Sequence, residues 1–215
     1  MNAVQEKNEH RSPRDATLRR HQDLHDRLLN AAEQAIAAEG LAQLRARALA
    51  DQVGCSVGAI YGVFTDLDTL ILAVNTRTLA AIGAAMDHAA GGDPAERMVQ
   101  LAHAYLDYAV ANRPRWTALF QHRLPPGQSV TAEYAAQLAA AFAHVEGPLA
   151  ALCPAMPEPD RVLLARSLFS AVHGMVELGL DEKVAAIPLP QLRAQIGLVV
   201  AAMAAGLARP PPGPP

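Results

Sequence analysis

The stretch from Leu44 to Leu70, LRARALADQVGCSVGAIYGVFTDLDTL, leaves the chain few ways to fold. Two short helical patterns flank a tight break at Gly54-Cys55-Ser56. Before the break Leu49 and Val53 lie four apart on one helix face; after it Ile60 and Val63 lie three apart. Two helices that cross steeply need a small residue where they touch, which Ala50 supplies. They need a residue that tolerates positive φ in the turn, Gly54, and an apolar anchor from the second helix, Ile60. The pattern reads as a helix-turn-helix whose second helix can enter a DNA major groove. An ordinary αα-hairpin inside a helical bundle has the same local pattern and stays open as the alternative.

The rest of the composition agrees with helix throughout. Half of the 215 residues are hydrophobic, largely Ala and Leu, while aromatic residues make up 4% and β-branched runs are short. That length holds one large domain or two small ones. A net charge of −3 excludes a globally basic nucleic-acid binder, so DNA binding must come from local charge and oriented side chains. Residues 1–63 carry eight Lys or Arg against eight Asp or Glu, which leaves the −3 on the remainder. Binding is then expected to weaken with salt, but less steeply than for a strongly basic module. Cys55 and Cys153 form no Cys-x-x-Cys site, and the polar N-terminus has no apolar signal-peptide core, so a cytoplasmic protein is expected. The longest uncharged apolar stretch, Ala194 to Ala208, is shorter than the roughly 20 residues of a spanning helix, so no membrane association is expected.

Four segments follow from the pattern. Residues 1–23 lack an apolar period and carry Arg11, Arg14, Arg19 and Arg20; they read as a flexible arm, either a plain tail or one that reaches a minor groove or phosphates. Residues 24–66 are the helix-turn-helix domain, with a first helix Leu24–Glu39 stopped by Gly40, a second from Ala46 to Val53, and a third capped by Ser56 and running to about Phe64. Residues 67–208 are a C-terminal helical domain. Thr65-Asp66-Leu67-Asp68 matches a capping box ahead of a long helix to about Ala89. Helices are expected next over Pro94–Ala111, Arg115–Arg123, Thr131–Leu152 with a kink at Gly147-Pro148, Asp160–Lys183 and Leu189–Leu207. Residues 209–215 are a polyproline-like, disordered tail.

Enzyme chemistry finds no foothold. The eight histidines are scattered, with no His-Glu-x-x-His, no Glu-x-x-His pair, no phosphate-binding glycine loop and no serine in a nucleophile elbow. No metal or cofactor is expected. Cys55 reads as a small packing residue in the turn, with an oxidation sensor as the alternative.

The first helix ending at Gly40, then LADQVGCSVGAIYGVF and Leu70, resembles the DNA-binding domain of TetR/AcrR-type transcriptional repressors, over about Leu24 to Leu72. Trp116 together with His173-Gly174 resembles the Trp-His-Gly variety of that family's C-terminal domain. The resemblance implies a homodimer with one helix-turn-helix per subunit, a palindromic double-stranded operator, and release of DNA when a small molecule enters the C-terminal domain. By analogy the DNA face is the N-terminal part of the third helix: Ser56, Val57, Gly58, Ala59, Tyr61 and Gly62, with Tyr61 matching the tyrosine that touches phosphate.

The chain departs from the pattern at Val63, where the family has a polar or aromatic residue, at Leu67, where it has a lysine, and at Arg45, where a Ser or Thr often caps. Affinity is then expected to lean on Arg45, Arg47, Tyr61 and backbone N–H groups, with sparse base readout and apolar contact of Val57 or Ala59 with thymine methyls. Loss of DNA affinity, leaving a helical dimer that binds a small molecule or protein, is the alternative that Val63 and Leu67 support.

Stripes at Leu164, Leu168, Ala171, Met175 and Leu178, and at Leu192, Ile196, Val199, Val200, Met203 and Leu207, suit packing within a subunit or a dimer interface built from the last two helices. The dimer is favoured because the last helix is apolar on more than one side. A mostly apolar pocket with a few polar groups is expected between helices. Its candidate lining residues are His103, Tyr108, Trp116, Phe120, His173 and Glu177, with Tyr105, Phe142 and Phe169 read as core and a structural hydrogen bond from His173 as the alternative to ligand contact.

Overall fold

The computed structural model describes residues 13–89, 92–184 and 187–208. The beginning of the expected arm with Arg11, Gly91, and the Pro-rich tail 209–215 lie outside them. Among the described residues the chain is all-α: α1 (Pro13–Glu39), α2 (Ala46–Val53), α3 (Val57–Val63), α4 (Leu67–Asp87), α5 (Pro94–Ala111), α6 (Arg113–Gln121), α7 (Ala132–Leu152), α8 (Glu158–Gly179) and α9 (Leu189–Leu207), with one 3-10 turn at Leu41–Gln43.

Residues 13–23 are not an irregular arm. They are the first three turns of α1, a helix of 27 residues. The apolar period there is absent because this part of the helix stands clear of the core. Bonds one turn apart support it instead: Arg19 Nε donates to the Asp15 carbonyl at 3.2 Å, Gln22 donates to Asp26 at 3.1 Å, and Arg27 pairs with Asp23 at 3.5 Å. From Leu28 onward α1 turns Leu28, Ala32 and Ile36 inward, each fully buried.

The α2–α3 turn closes as its residues require. Gly54 sits at φ 72°, ψ 42°, the left-handed conformation in which a Cβ is strained. The Cys55 N–H donates to the Ala50 carbonyl and the Gly54 N–H to the Asp51 carbonyl, the paired arrangement of a Schellman stop. Arg27 of α1 donates to the last carbonyl of α2, at Val53. Ser56 then caps α3, its Oγ accepting from the Ala59 N–H at 3.1 Å. Leu49, Ala50, Val53 and Ile60 meet α1 in one small core.

Other ends differ from the sequence expectation by their capping chemistry. Asp66, not Thr65, caps α4; one carboxylate oxygen accepts from both the N–H and the hydroxyl of Thr69 at 2.7 Å, and the other accepts from Gln128 at 3.1 Å. These bonds hold the Asp66 carboxyl below its ordinary pKa. Its contribution to stability is therefore complete above about pH 3.8 and is lost as pH falls through the lower folded value. Asp66→Asn is expected to flatten that acid limb, which a series of thermal melts between pH 5 and 2 would read; an unchanged acid limb would remove Asp66 from the account. The chain breaks at Asn112, between α5 and α6, and α6 starts two residues earlier than expected, at Arg113, because Pro114 sits in its first turn, where its missing N–H is harmless. α7 runs through Pro148. α8 stops at Gly179, four residues before Lys183, where a Cβ would lie 2.6 Å from the Leu192 side chain of α9.

Two hydrophobic cores result, and α4 belongs to both. Its Leu70, Ile71 and Val74 complete the α1–α3 core, and its Leu79, Ile82 and Met86 join the larger core made with α5 to α9. The domain boundary placed before Leu67 thus falls at the start of a shared rod. α6 is shared as well: Ala118 packs into the first core, Trp116 and Leu119 into the second. By length and composition α4 and α8 are also apolar enough to cross a membrane, and the two differ in what covers them. α4 is largely enclosed, whereas α8 leaves Leu163 61% and Leu178 53% exposed, and α9 leaves Leu198 at 64%.

Candidate nucleic-acid interface and ligand cavity

The outward face of α3 is short and smooth. Gly58, Tyr61 and Gly62, spaced by three and four, are exposed together with the capping Ser56, and Tyr61 keeps 48% of its surface open. No neighbouring atom lies within 4 Å of a Cβ built at Gly62, and only Ser56 Oγ, at 3.8 Å, lies near one at Gly58. The helix backbone can thus come close to a flat partner. Val57 and Ala59 are half-buried, and Val57 packs on the α1–α3 core, so little of either remains for thymine methyls.

Arg47, in the first turn of α2, is exposed and makes no hydrogen bond or ion pair among the described residues. Arg45 starts α2 without a side-chain cap; its guanidinium turns back to donate to the carbonyls of Ala42 at 2.7 Å and Leu44 at 2.9 Å. Arg45 thus spends Nη1 on its own backbone and keeps Nε and Nη2, whereas all the donors of Arg47 are unused. Val63 and Leu67 both pack half-buried against the first core. Their apolar character is therefore accounted for by packing and is no sign of a face that has lost DNA.

The C-terminal core holds two adjoining cavities, of about 110 and 50 Å3. Met86, Tyr105, Val145 and Phe169 line both. The larger is lined by Leu79 and Ile82 of α4, Leu119 and Phe120 of α6, and Tyr134, Leu138 and Phe142 of α7. Among the described residues no charged side chain lines either one. A charged guest would give up its hydration for nothing, so the space suits an uncharged one.

Beside the cavities lies a chain of polar groups. Trp116 Nε1 donates to the Tyr105 hydroxyl at 2.8 Å, and that hydroxyl lies 2.9 Å from His173 Nδ1. Indole can only donate, so the phenol oxygen accepts there and its own proton is free for the imidazole. Burial pushes the His173 pKa down, partly opposed by the nearby Glu177 charge, which keeps the ring neutral and able to accept. Burial likewise pushes the Tyr105 phenol up, so it holds its proton. The His173 ring also lies 4.1 Å from Phe120, 5.3 Å from Trp116 and 5.6 Å from Phe169, centroid to centroid.

The structure thus brings together Trp116, Phe120 and His173 from the expected pocket set, and only Phe120 lines a cavity. The other three stand away from these two cavities, and His103 and Tyr108 line a separate, open surface groove together with Ala85, His88 and Asp107. His103 sits between α5 and α9, its Nε2 3.1 Å from the Arg193 carbonyl and 3.2 Å from where a Cβ on Gly197 would be. Glu177 is exposed on α8. Tyr108 is buried where α4, α5 and α6 meet, near Thr78 and Arg115. Tyr105, Phe142 and Phe169, read as core from the sequence, are the residues that wall the cavities; helical spacing alone cannot separate a core side chain from one that faces a void.

Two features had no counterpart in the sequence reading. Glu33 of α1 pairs with Arg77 of α4 at 2.9 Å and with Arg115 of α6 at 2.8 Å, and Arg77 also donates to Asn30 at 2.6 Å. This is a bridge between the two cores. The other is Asn75, 1% exposed, whose amide oxygen and nitrogen find no hydrogen-bond partner among the described residues. Leaving a buried amide unsatisfied costs on the order of 1–3 kcal/mol. Its signal was present in the sequence, a polar residue in the row Ile71, Asn75, Leu79, Ile82.

Comparison with known proteins adds to this geometry. Residues 28–74 match the family described as bacterial regulatory proteins, tetR family, and residues 98–203 match the tetracyclin repressor-like C-terminal domain. No curated protein matches the chain. Among solved structures, a protein of unknown function from Rhodococcus sp. RHA1 is similar with a TM-score of 0.70 at 22% identity, over 95% of this chain and all of that one. A TetR transcriptional regulator from the same source gives 0.63 at 16% identity, over 86% of this chain and 97% of that one. RolR in complex with resorcinol gives 0.62 at 19% identity, over 91% of this chain and 98% of that one. At these identities the likeness is one of fold.

Proposed function

The chain belongs to the TetR family of bacterial regulatory proteins, and from that premise we propose that it is a repressor released from its operator by a small molecule. It is a DNA-binding transcriptional regulator and not an enzyme. In this reading it acts in the cytoplasm as a homodimer on a palindromic site, with Ser56, Gly58, Tyr61 and Gly62 of each α3 against the groove and Arg47 on phosphate. The exposed apolar faces of α8 and α9, with Leu163, Leu178 and Leu198, are covered by the second copy.

The observation that carries the reading is the division of α4. One end, with Leu70, Ile71 and Val74, is built into the core that holds α3. The other, with Leu79, Ile82 and Met86, forms a wall of the cavity. A guest that displaces one end of a packed helix displaces the other, because close-packed interiors move as units. RolR offers a parallel: a solved structure of this fold holds a small ring compound.

Titration of the purified chain against the DNA upstream of its own gene, in a salt series with random-sequence competitor, tests the proposal. Specific binding that weakens with salt is expected. The double variant Arg47→Ala/Tyr61→Phe is expected to bind at least about tenfold more weakly, with a salt slope lower by about 1. Binding no better than competitor at low salt, or a double variant equal to the native chain, would sink the assignment of this face.

A further inference from the structure

The cavity and the orphaned amide of Asn75 belong to one face of one helix. Along α4, Asn75, Leu79, Ile82 and Met86 recur at spacings of four, three and four, which puts them in a single row. Leu79, Ile82 and Met86 of that row wall the larger cavity. Asn75 stands one turn further, between the cavity and Ile71 of the first core. It is buried with both amide atoms unpartnered among the described residues.

We propose that Asn75 is the polar anchor for the effector, and that the effector is an uncharged molecule of about one ring with a neutral hydrogen-bonding group such as an amide or hydroxyl. This rests on the reading of the cavity as the effector site. The apolar walls supply the ring's place: a dry apolar cavity of about 150 Å3 holds benzene, and the two adjoining cavities here are of about 110 and 50 Å3. The absence of charged lining excludes carboxylates and ammonium ions from the site. Asn75 presents a donor and an acceptor, which a primary amide or a hydroxyl can complement. A guest that reaches Asn75 displaces Leu79, the intervening side chain, and so acts on α4 at the turn next to the DNA-binding core. Selectivity and signal then come from the same contact. A site built to hydrogen-bond its guest discriminates strongly against one that lacks the group, since the buried amide is then left unpaired.

The test uses the full chain and three probes of one ring size: benzamide, toluene and benzoate. Binding is followed by calorimetry and by the fluorescence of Trp116, the sole tryptophan, which lies beside the cavity. The native chain is expected to bind benzamide at least about tenfold more tightly than toluene, and benzoate not at all. Asn75→Leu is expected to abolish that preference while toluene binding persists. Asn75→Ala serves the same purpose should the leucine fail to pack. Leu138→Trp, which fills the cavity, is expected to abolish binding of every probe. A preference for benzamide that survives at Asn75→Leu overturns the anchor and leaves the cavity standing. Failure of the native chain to bind any probe, or probe binding unaffected by Leu138→Trp, overturns both. The reading of the DNA face is settled separately, by the operator titration.

Discussion

Trp116→Ala is expected to lower the stability of the chain by about 3–5 kcal/mol, the range for truncating a fully buried aromatic residue. Trp116 is 1% exposed and is held from every side: its ring meets Tyr105, Phe120 and His173 at centroid distances of 6.2, 5.5 and 5.3 Å. Truncation adds a second loss, because the Tyr105 hydroxyl gives up the N–H that it accepts at 2.8 Å and its bond to His173 stands alone. Trp116→Phe separates the two effects. It keeps most of the ring and removes the donor, and is expected to cost about 1–2 kcal/mol. Urea unfolding followed by far-UV circular dichroism measures both. A loss below about 1 kcal/mol for the alanine variant would mean that α6 does not rely on this side chain.

The second large effect is expected at Glu33. Glu33→Leu leaves Arg77 and Arg115 side by side without their shared carboxylate. Removing one member of a fully buried pair costs about 3–5 kcal/mol. Here Glu33 is 24% exposed, Arg115 15% and Arg77 38%, so solvent screens part of the loss and about 2 kcal/mol is expected. The same logic predicts recovery: in Glu33→Leu/Arg115→Leu the uncompensated guanidinium on α6 is gone, and much of the stability returns. The bridge joins α1 of the first core to α6 of the second. Unfolding followed by Trp116 fluorescence, which reports the second core, and by circular dichroism, which reports all helices, should therefore coincide in the native chain and separate in Glu33→Leu. Coincident transitions in the variant would show that the packing of α4 and α6 couples the two cores without the bridge.

The helix-turn-helix was legible because its determinants are local. A left-handed glycine, a capping serine and apolar residues three or four apart act within a few residues, and Gly54, Ser56, Leu49 and Ile60 hold in the structure the places their spacing assigns. Pro94 marked the start of α5 for the same reason, and the structure adds Asp93 as its cap. The extension of α1 over residues 13–23 was hidden, because an exposed helix held by charged pairs carries no apolar stripe. Asp66 was passed over for Thr65 because two adjacent residues both fit a cap, and only the approach of Gln128 and Thr69 distinguishes them.

The candidate sites divide along the same line. Residue type and helical period fix which faces are buried, so the fold class, the reading helix and the aromatic and histidine residues that gather beside the cavities could be read from the chain. Which buried faces line a void and which meet another helix was set by the packing of the helices on one another. It set His103 against α9 and Tyr108 at the α4–α5–α6 junction, and turned Arg45 onto its own backbone while leaving Arg47 free. It also placed the charges of α1, α4 and α6 on a common carboxylate, and the orphaned amide of Asn75 at the end of the cavity row. The physical reason is that a void, an interhelical ion pair and an unsatisfied amide are properties of two or more elements at once. The helical period of one element states which side is buried and carries no record of what it is buried against.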